Sequence, residues 1–463
     1  MMRWMRLSLV CGLTGALLFG CDDGEVVTED AGADTGTTPT DGDVPPPECD
    51  AEGVVISGEI DADTRWSCPL YVLNGRIYVT NDAVLTIDAG TEIIGEPGVD
   101  GGSALIVTRG AQLNAVGTAA APIVFTSGAP VGERVTGDWA GVALLGSATT
   151  NDGSCIDDGD TGTPECDAPG FFEDRVEGIE VGDDRGRYGG GDDGSSCGTL
   201  QYVRIEFAGA ELSPDNELNG LTVAGCGSGT TLSYVQVHRG KDDGIEFFGG
   251  TANLDHAIIS GPSDDGLDCD EGWRGEAQFI VVHQFPGIGD NAIECDNLGS
   301  DESAEPRTNP SISNITLVGA GEGRVAVLRE GFRADIDNLV AVNFNAPPDL
   351  RSEELNLADE WPTNLSIENS YFYEVGDFPA ETGEDDDDMG FDEAAAFTDP
   401  ARNNDFETDP MLGDTSITAP NYIPGVALSG VAPAFGDTSA SYAGAFENGG
   451  TNWAEGWAAF PEN

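Results

Sequence analysis

Leu232-Ser-Tyr-Val-Gln-Val, Leu254-Asp-His-Ala-Ile-Ile and Ala277-Gln-Phe-Ile-Val-Val are three copies of one short pattern, starting 22 and 23 residues apart. Three more copies flank them: Leu200-Gln-Tyr-Val-Arg-Ile before, and Ile312-Ser-Asn-Ile-Thr-Leu and Ile336-Asp-Asn-Leu-Val-Ala after. The last two start 24 residues apart, and the longer step from Ala277 to Ile312 carries an insertion near Ser300 to Pro310. A repeat of this period cannot bury its apolar residues alone and does so by stacking on its neighbours. Each copy therefore starts one coil of a solenoid, and Leu365-Ser-Ile-Glu-Asn-Ser-Tyr-Phe adds a variant last coil.

A second short pattern recurs in each coil: Gly220-Leu-Thr-Val, Gly244-Ile-Glu-Phe, Gly266-Leu-Asp-Cys and Ala292-Ile-Glu-Cys. Alternate residues are apolar, as a strand with one buried face requires. Ile245, Leu267 and Ile293 then stack inside, with Phe247, Cys269 and Cys295 two positions on. Stacked coils set equivalent residues about 4.8 Å apart, within the Cα separation a disulfide accepts, so Cys269 is expected to pair with Cys295. The fold class is all-β, a parallel β-helix. A β-sandwich is the all-β alternative, but it would not give coil-length repeats.

Around this body the chain divides into four parts. Residues 1–20 read as a signal peptide, because Arg3 and Arg6 precede an apolar run from Leu7 to Phe19 that is too short to span a bilayer. Leu18-Phe19-Gly20-Cys21 resembles a bacterial lipobox, which makes Cys21 the lipidation site; the alternative is an ordinary signal peptide followed by a chance cysteine. Residues 21–49 are an acidic linker of Asp, Glu, Thr, Gly and Pro with almost nothing to bury, and so disordered. Residues 50–380 form the β-helix, with Val54 to Gly146 as its first coils. Residues 381–463 hold the acidic run Glu384 to Asp388 and an irregular segment in which Trp453, Trp457 and Phe460 cap the solenoid's open end, or offer a sugar-stacking platform.

Charge excludes one class of partner. The chain carries 19 basic and 84 acidic residues, a net charge of −65, and such a surface repels phosphate backbones, so nucleic acid is ruled out. Free polyuronates are repelled too, unless divalent cations bridge them to the protein. Of ten cysteines, Cys11 leaves with the signal and Cys21 takes the lipid. The other eight suit an oxidising compartment, as Cys49–Cys68, Cys155–Cys166, Cys197–Cys226 and Cys269–Cys295. The Gly- and Asp-rich stretch from Thr149 to Ser196 is long for a loop, and its Asp157, Asp158, Asp160 and Glu165 could hold calcium.

The densest chemistry lies on the second strand and the turn before it: Asp242-Asp243-Gly-Ile-Glu246, Asp264-Asp265-Gly-Leu-Asp268-Cys-Asp270 and Asp290-Asn-Ala-Ile-Glu294-Cys-Asp296. The alternation that buries Ile245, Leu267 and Ile293 turns Glu246, Asp268 and Glu294 outward as a ladder. Three readings follow. The carboxylates are a solvated, turn-forming face, with Asp-Gly pairs at tight corners. Alternatively Asp243, Glu246, Asp265, Asp268, Asp270 and Glu294 supply the clustered oxygens that calcium takes as a cofactor. In the third reading Glu246, Asp268 and Glu294, some 5 to 10 Å apart, serve as a glycosidase acid–base pair, or Lys241, Arg239 or Arg274 abstracts a proton as in a lyase.

Leu85-Thr-Ile-Asp-Ala-Gly-Thr, Ala104-Leu-Ile-Val-Thr-Arg-Gly, Pro122-Ile-Val-Phe-Thr-Ser, Gly137-Asp-Trp-Ala-Gly, Leu200-Gln-Tyr-Val-Arg-Ile-Glu-Phe-Ala-Gly, Asn219-Gly-Leu-Thr and Tyr442-Ala-Gly-Ala-Phe carry a resemblance over most of the chain. It resembles bacterial secreted lipoproteins with a pectin-lyase-like right-handed parallel β-helix. That resemblance implies the hand of the helix but not an activity, because such folds serve lyases, hydrolases, adhesins and structural proteins alike. The expected function is a non-catalytic cell-envelope protein. It would be anchored in the lipid bilayer, at the outer membrane or cell surface, through acylated Cys21, and would bind an extracellular glycan or a protein partner, with calcium at the ladder. A calcium-dependent polysaccharide lyase or glycoside hydrolase is the alternative, and a purely structural envelope component the third reading.

Overall fold

A computed structural model describes residues 49–99, 101–155, 172–180, 182–213, 216–379 and 387–463. The Cys155–Cys166 pair, its acidic loop, Cys21 and residues 384–386 of the acidic run lie outside the described residues or rest on them. Among the described residues 23 strands join in one continuous sheet, wound as a right-handed parallel β-helix.

The recurrent six-residue pattern is the long strand of each coil. Gly198–Glu206, Thr231–His238, Asn253–Ser260, Glu276–His283, Ser311–Val318 and Ala334–Phe344 pair in parallel, with Leu200, Leu232, Leu254, Ala277, Ile312 and Ile336 in register. Each long strand bends where one residue takes a left-handed conformation: Tyr202, Tyr234, His256, Phe279, Asn314 and Asn338 have φ between 51° and 61°. The bend turns one strand into two walls. In the variant coil Ile367, two residues after Leu365, aligns with Ile336, and the strand splits into Leu365–Glu368 and Tyr371–Val375.

The second pattern forms a third wall of short strands: Ala104–Val107, Gly141–Leu145, Leu221–Ala224, Ile245–Phe248, Leu267–Asp270, Ile293–Cys295, Val327–Leu328 and Asp349–Leu350. Their inward residues Leu221, Ile245, Leu267 and Ile293 are buried, and Phe247 stacks on Trp273 with ring centroids 4.2 Å apart. Full burial of side chains this large stabilises by about 1.5–3 kcal/mol each. The glycine that opens each short strand has a packing cause. A Cβ on Gly220, Gly244 or Gly266 would lie 2.3, 2.2 or 2.4 Å from Val237, Ile259 or Val282 of the neighbouring wall.

Cys49–Cys68, Cys197–Cys226 and Cys269–Cys295 are disulfides, with Cα separations of 5.5, 5.7 and 4.6 Å. Cys269 and Cys295 are direct partners across two coils, as the register requires. At the far end the short helix Glu393–Phe397 closes the solenoid, with Phe397 packed among Trp361, Phe372 and Phe378.

Trp453 and Trp457 do not cover that open end. The segment after Arg402 has no helix or strand and runs back along the outside of the long strands. There Trp457, Phe446 and Tyr422 pack on Ile258, Val281 and Val318, while Trp457 meets the Tyr202 and Tyr234 rings edge-on. Sequence distance gave no sign of this path, which depends on outward apolar residues of walls whose inner faces are already filled.

Candidate functional site

The outward column of the short-strand wall runs Ile106, Ala143, Thr222, Glu246, Asp268, Glu294 and Val327. Its two ends are occupied differently. The stretch after Thr149 lays Val176, Ile179 and Tyr188, and the following turn lays Leu212 and Leu218, on Ile106, Ala143 and Ala224, so the first coils are covered by apolar packing. The middle coils present carboxylates beside that covering. Glu246, Asp268 and Asp270 are half-buried, and Asp243 and Asp265 from the preceding turns are buried.

Carboxylate oxygens of Asp243, Glu246 and Asp268 all lie within 4.8 Å of one another, and so do those of Asp242, Asp243 and Asp264. The two triads share Asp243. Backbone and amide donors hold the groups in place: Asp243 accepts from the Asp265 N–H at 2.8 Å, Asp265 from the Asn291 N–H at 2.6 Å, and Glu246 from the Asn219 amide. Burial, followed by the charge of a neighbouring carboxylate, raises the pKa of Asp243, Glu246, Asp268 and Asp270 well above the ordinary range. The same two causes push Asp265 up to about 10 and Asp242 to about 6. One oxygen of Asp270 is buried without a hydrogen-bond partner.

A third triad flanks the strip. Asp152, Asp174 and Glu271 also bring oxygens within 4.8 Å. Glu271 is buried, accepts from the Tyr188 hydroxyl at 2.8 Å and the Thr150 hydroxyl at 3.0 Å, and is pushed up to about 8 by burial and by Asp174. Beyond Asp268 the charges are compensated. Arg329 pairs with Glu294 at 2.6 Å and Asp296 at 2.8 Å, and Arg324 and Arg351 both pair with Asp349. A cavity of about 440 Å³ opens there, lined by Glu302, Arg329, Glu330, Arg351, Ser352 and Asp387.

A family model for the pectate-lyase like beta helix domain matches residues 58–409. The chain belongs to that family. No curated protein and no solved structure matches it significantly. In this pectate-lyase-like β-helix the three cationic candidates are engaged with groups other than the triad carboxylates. Lys241 reaches Glu211 and Glu217 at 3.7 and 3.8 Å. Arg274 pairs with Asp193 at 3.2 Å, and Arg239 lies over the Phe285 ring at 5.1 Å. Of the candidate ligands, Asp243, Glu246 and Asp268 bring oxygens within 4.8 Å of one another, Asp265 hydrogen-bonds Glu294, and Glu294 also pairs with Arg329.

The sequence offers Asn219 only within the family-like Asn219-Gly-Leu-Thr, and gives no sign of a role for Arg329 or the Glu271 triad. Arg329 is in reach of Glu294 only because Val327 sits one coil on in register with Glu294. Glu271 follows Asp270 directly, yet its partners Tyr188 and Thr150 are 83 and 121 residues away. A stretch without periodicity does not announce where it will land.

Proposed function

We propose that this β-helix is a non-catalytic, glycan-binding protein of the cell envelope that uses the outward face of the short-strand wall with a bound calcium ion. The observation that carries the reading is the shared-Asp243 cluster: the buried or half-buried carboxyl groups of Asp242, Asp243, Glu246 and Asp268 with the exposed Asp264, and no basic side chain ion-paired to any of them among the described residues. Like charges at this spacing repel by several kcal/mol at an effective dielectric of about 20, and a hard divalent cation removes that cost. The donor set suits calcium, being all oxygen, multiple and partly pre-held by backbone N–H groups. Asp243, Glu246 and Asp268, with Asp242 or Asp264, would hold the ion, which would offer sugar hydroxyl or carboxylate oxygens a positive centre on an otherwise repulsive surface.

The pectate-lyase-like fold supports a carbohydrate-related role. The engagement of Lys241, Arg239 and Arg274 with other partners favours binding over proton abstraction. Acylation at Cys21 and the acidic tether through Glu48 would display the solenoid at the membrane surface. The test is retention of the full chain on immobilised neutral and acidic polysaccharides, with calcium or with chelator, while new reducing ends and unsaturated products are followed. Calcium-dependent retention without cleavage supports the proposal. Cleavage lost in Asp268→Asn or Glu246→Gln assigns an enzyme instead.

A further inference from the structure

The C-terminal segment is held by an unusual set of contacts. Three buried side-chain amides of the solenoid each make a two-point pair with the N–H and C=O of one residue of this segment, here called the strap. Gln236 donates to the Ala459 carbonyl at 2.7 Å and accepts from the Ala459 N–H at 2.9 Å. Gln278 does the same with Asp437, at 3.3 and 2.7 Å. Asn338 does so with Val431, at 2.8 Å both ways. All three amides are at most 3 % exposed. Between them Asn314 donates to the Tyr442 carbonyl at 2.6 Å, Thr316 accepts from the Ala445 N–H at 2.9 Å, and Arg204 donates to the Trp457 carbonyl at 3.0 Å. These contacts read the main chain, as a sheet edge does for an added strand, while Trp457 and Phe446 fix the register.

We propose that this flank is a polypeptide-binding groove, and that the partner it fits in trans is the strap of a second copy of the chain. Three observations carry the step from cis to trans. The strap contains no helix or strand to tie it to its own solenoid. No cysteine follows Cys295, so nothing covalent holds it except the chain itself. The connection at Asp414–Ser416 is exposed, and a change of path there gives up only the bonds that close its own turn, from the Asn421 N–H to Asp414 and from the Gly425 N–H to Pro410 and Met411, with the Leu412–Pro424 pairing. Exchange of an identical element between copies preserves every contact listed above for the groove.

The experiment uses the full chain with a protease site placed between Thr415 and Ser416. After cleavage the fragment from Ser416 to Asn463 is expected to stay bound on size-exclusion, and a dye-labelled peptide of the same sequence to replace it. Gln278→Leu, which deletes one two-point pair, should lower the retained peptide about tenfold at equal concentration, with the β signal of the solenoid unchanged. Intact chains carrying donor and acceptor dyes, unfolded and refolded together at high concentration, should show energy transfer in a dimer fraction. The proposal is overturned if the labelled peptide does not enter a solenoid that keeps its β signal, or if that signal collapses once the strap leaves. It is equally overturned if co-refolded intact chains give monomer alone.

Discussion

Glu271→Gln isolates the cost of a buried, cation-free carboxyl group. Glu271 is 7 % exposed and is pushed from 4.5 up to about 8 by burial and by the Asp174 charge. The folded state thus binds this proton more tightly than the unfolded state, so stability is fullest below pH 4.5 and falls as pH rises towards 8. Between pH 5 and pH 8 this one group withdraws about 3 kcal/mol, at about 1.4 kcal/mol per pH unit across most of that window. Glutamine cannot ionise, yet it keeps an acceptor oxygen for the Tyr188 or Thr150 hydroxyl. In urea unfolding with chelator present, the wild type should lose stability from pH 5 to pH 8, and the variant should lose about 3 kcal/mol less. Equal losses in the two proteins would refute the reasoning, because Glu271 would then ionise in the folded state as freely as in water.

Calcium should raise the unfolding midpoint of the wild type at pH 8, and Asp243→Asn or Asp268→Asn should remove that shift while stabilising the cation-free protein, as followed by thermal unfolding with and without chelator. Phe247→Ala, which empties the ring stacked on Trp273 in the core, should cost about 3–5 kcal/mol by urea unfolding. Replacing Cys269 and Cys295 together by alanine opens a cross-link spanning 26 residues and should cost about 3 kcal/mol. Gly244→Ala puts a Cβ 2.2 Å from Ile259 and 2.7 Å from the Gly266 carbonyl oxygen, so it should lower the melting temperature markedly although alanine is the better strand former.

The solenoid was legible because its determinants repeat. Leu232, Leu254 and Ala277 announce the coil length, and strict alternation through Ile245-Glu246-Phe247 tells which side each residue faces. The Cys269–Cys295 disulfide follows from the same register. What the repeats could not carry is whatever reaches across them: the stretch after Thr149 that places Tyr188 on Glu271, the Arg329 guanidinium that neutralises Glu294, and the strap that brings Trp457 back to Tyr202. The ladder looked like one uniform series of Glu246, Asp268 and Glu294. The structure divides it into Glu246 and Asp268, with no ion-paired basic side chain among the described residues, and Glu294, paired with Arg329, because side chains from the later coils reach only the last rung.

We have proposed that the Asp243, Glu246 and Asp268 cluster holds a divalent cation through which the β-helix binds glycan. Titration of the full chain with its best-retained polysaccharide, in calcium and then in chelator, tests it most directly when wild type and Asp268→Asn are run side by side. Calcium-dependent binding by the wild type, loss of that binding in Asp268→Asn, and no new reducing ends in either are the expected results. Binding of equal strength in chelator and in Asp268→Asn, or wild-type cleavage that the substitution abolishes, would contradict it.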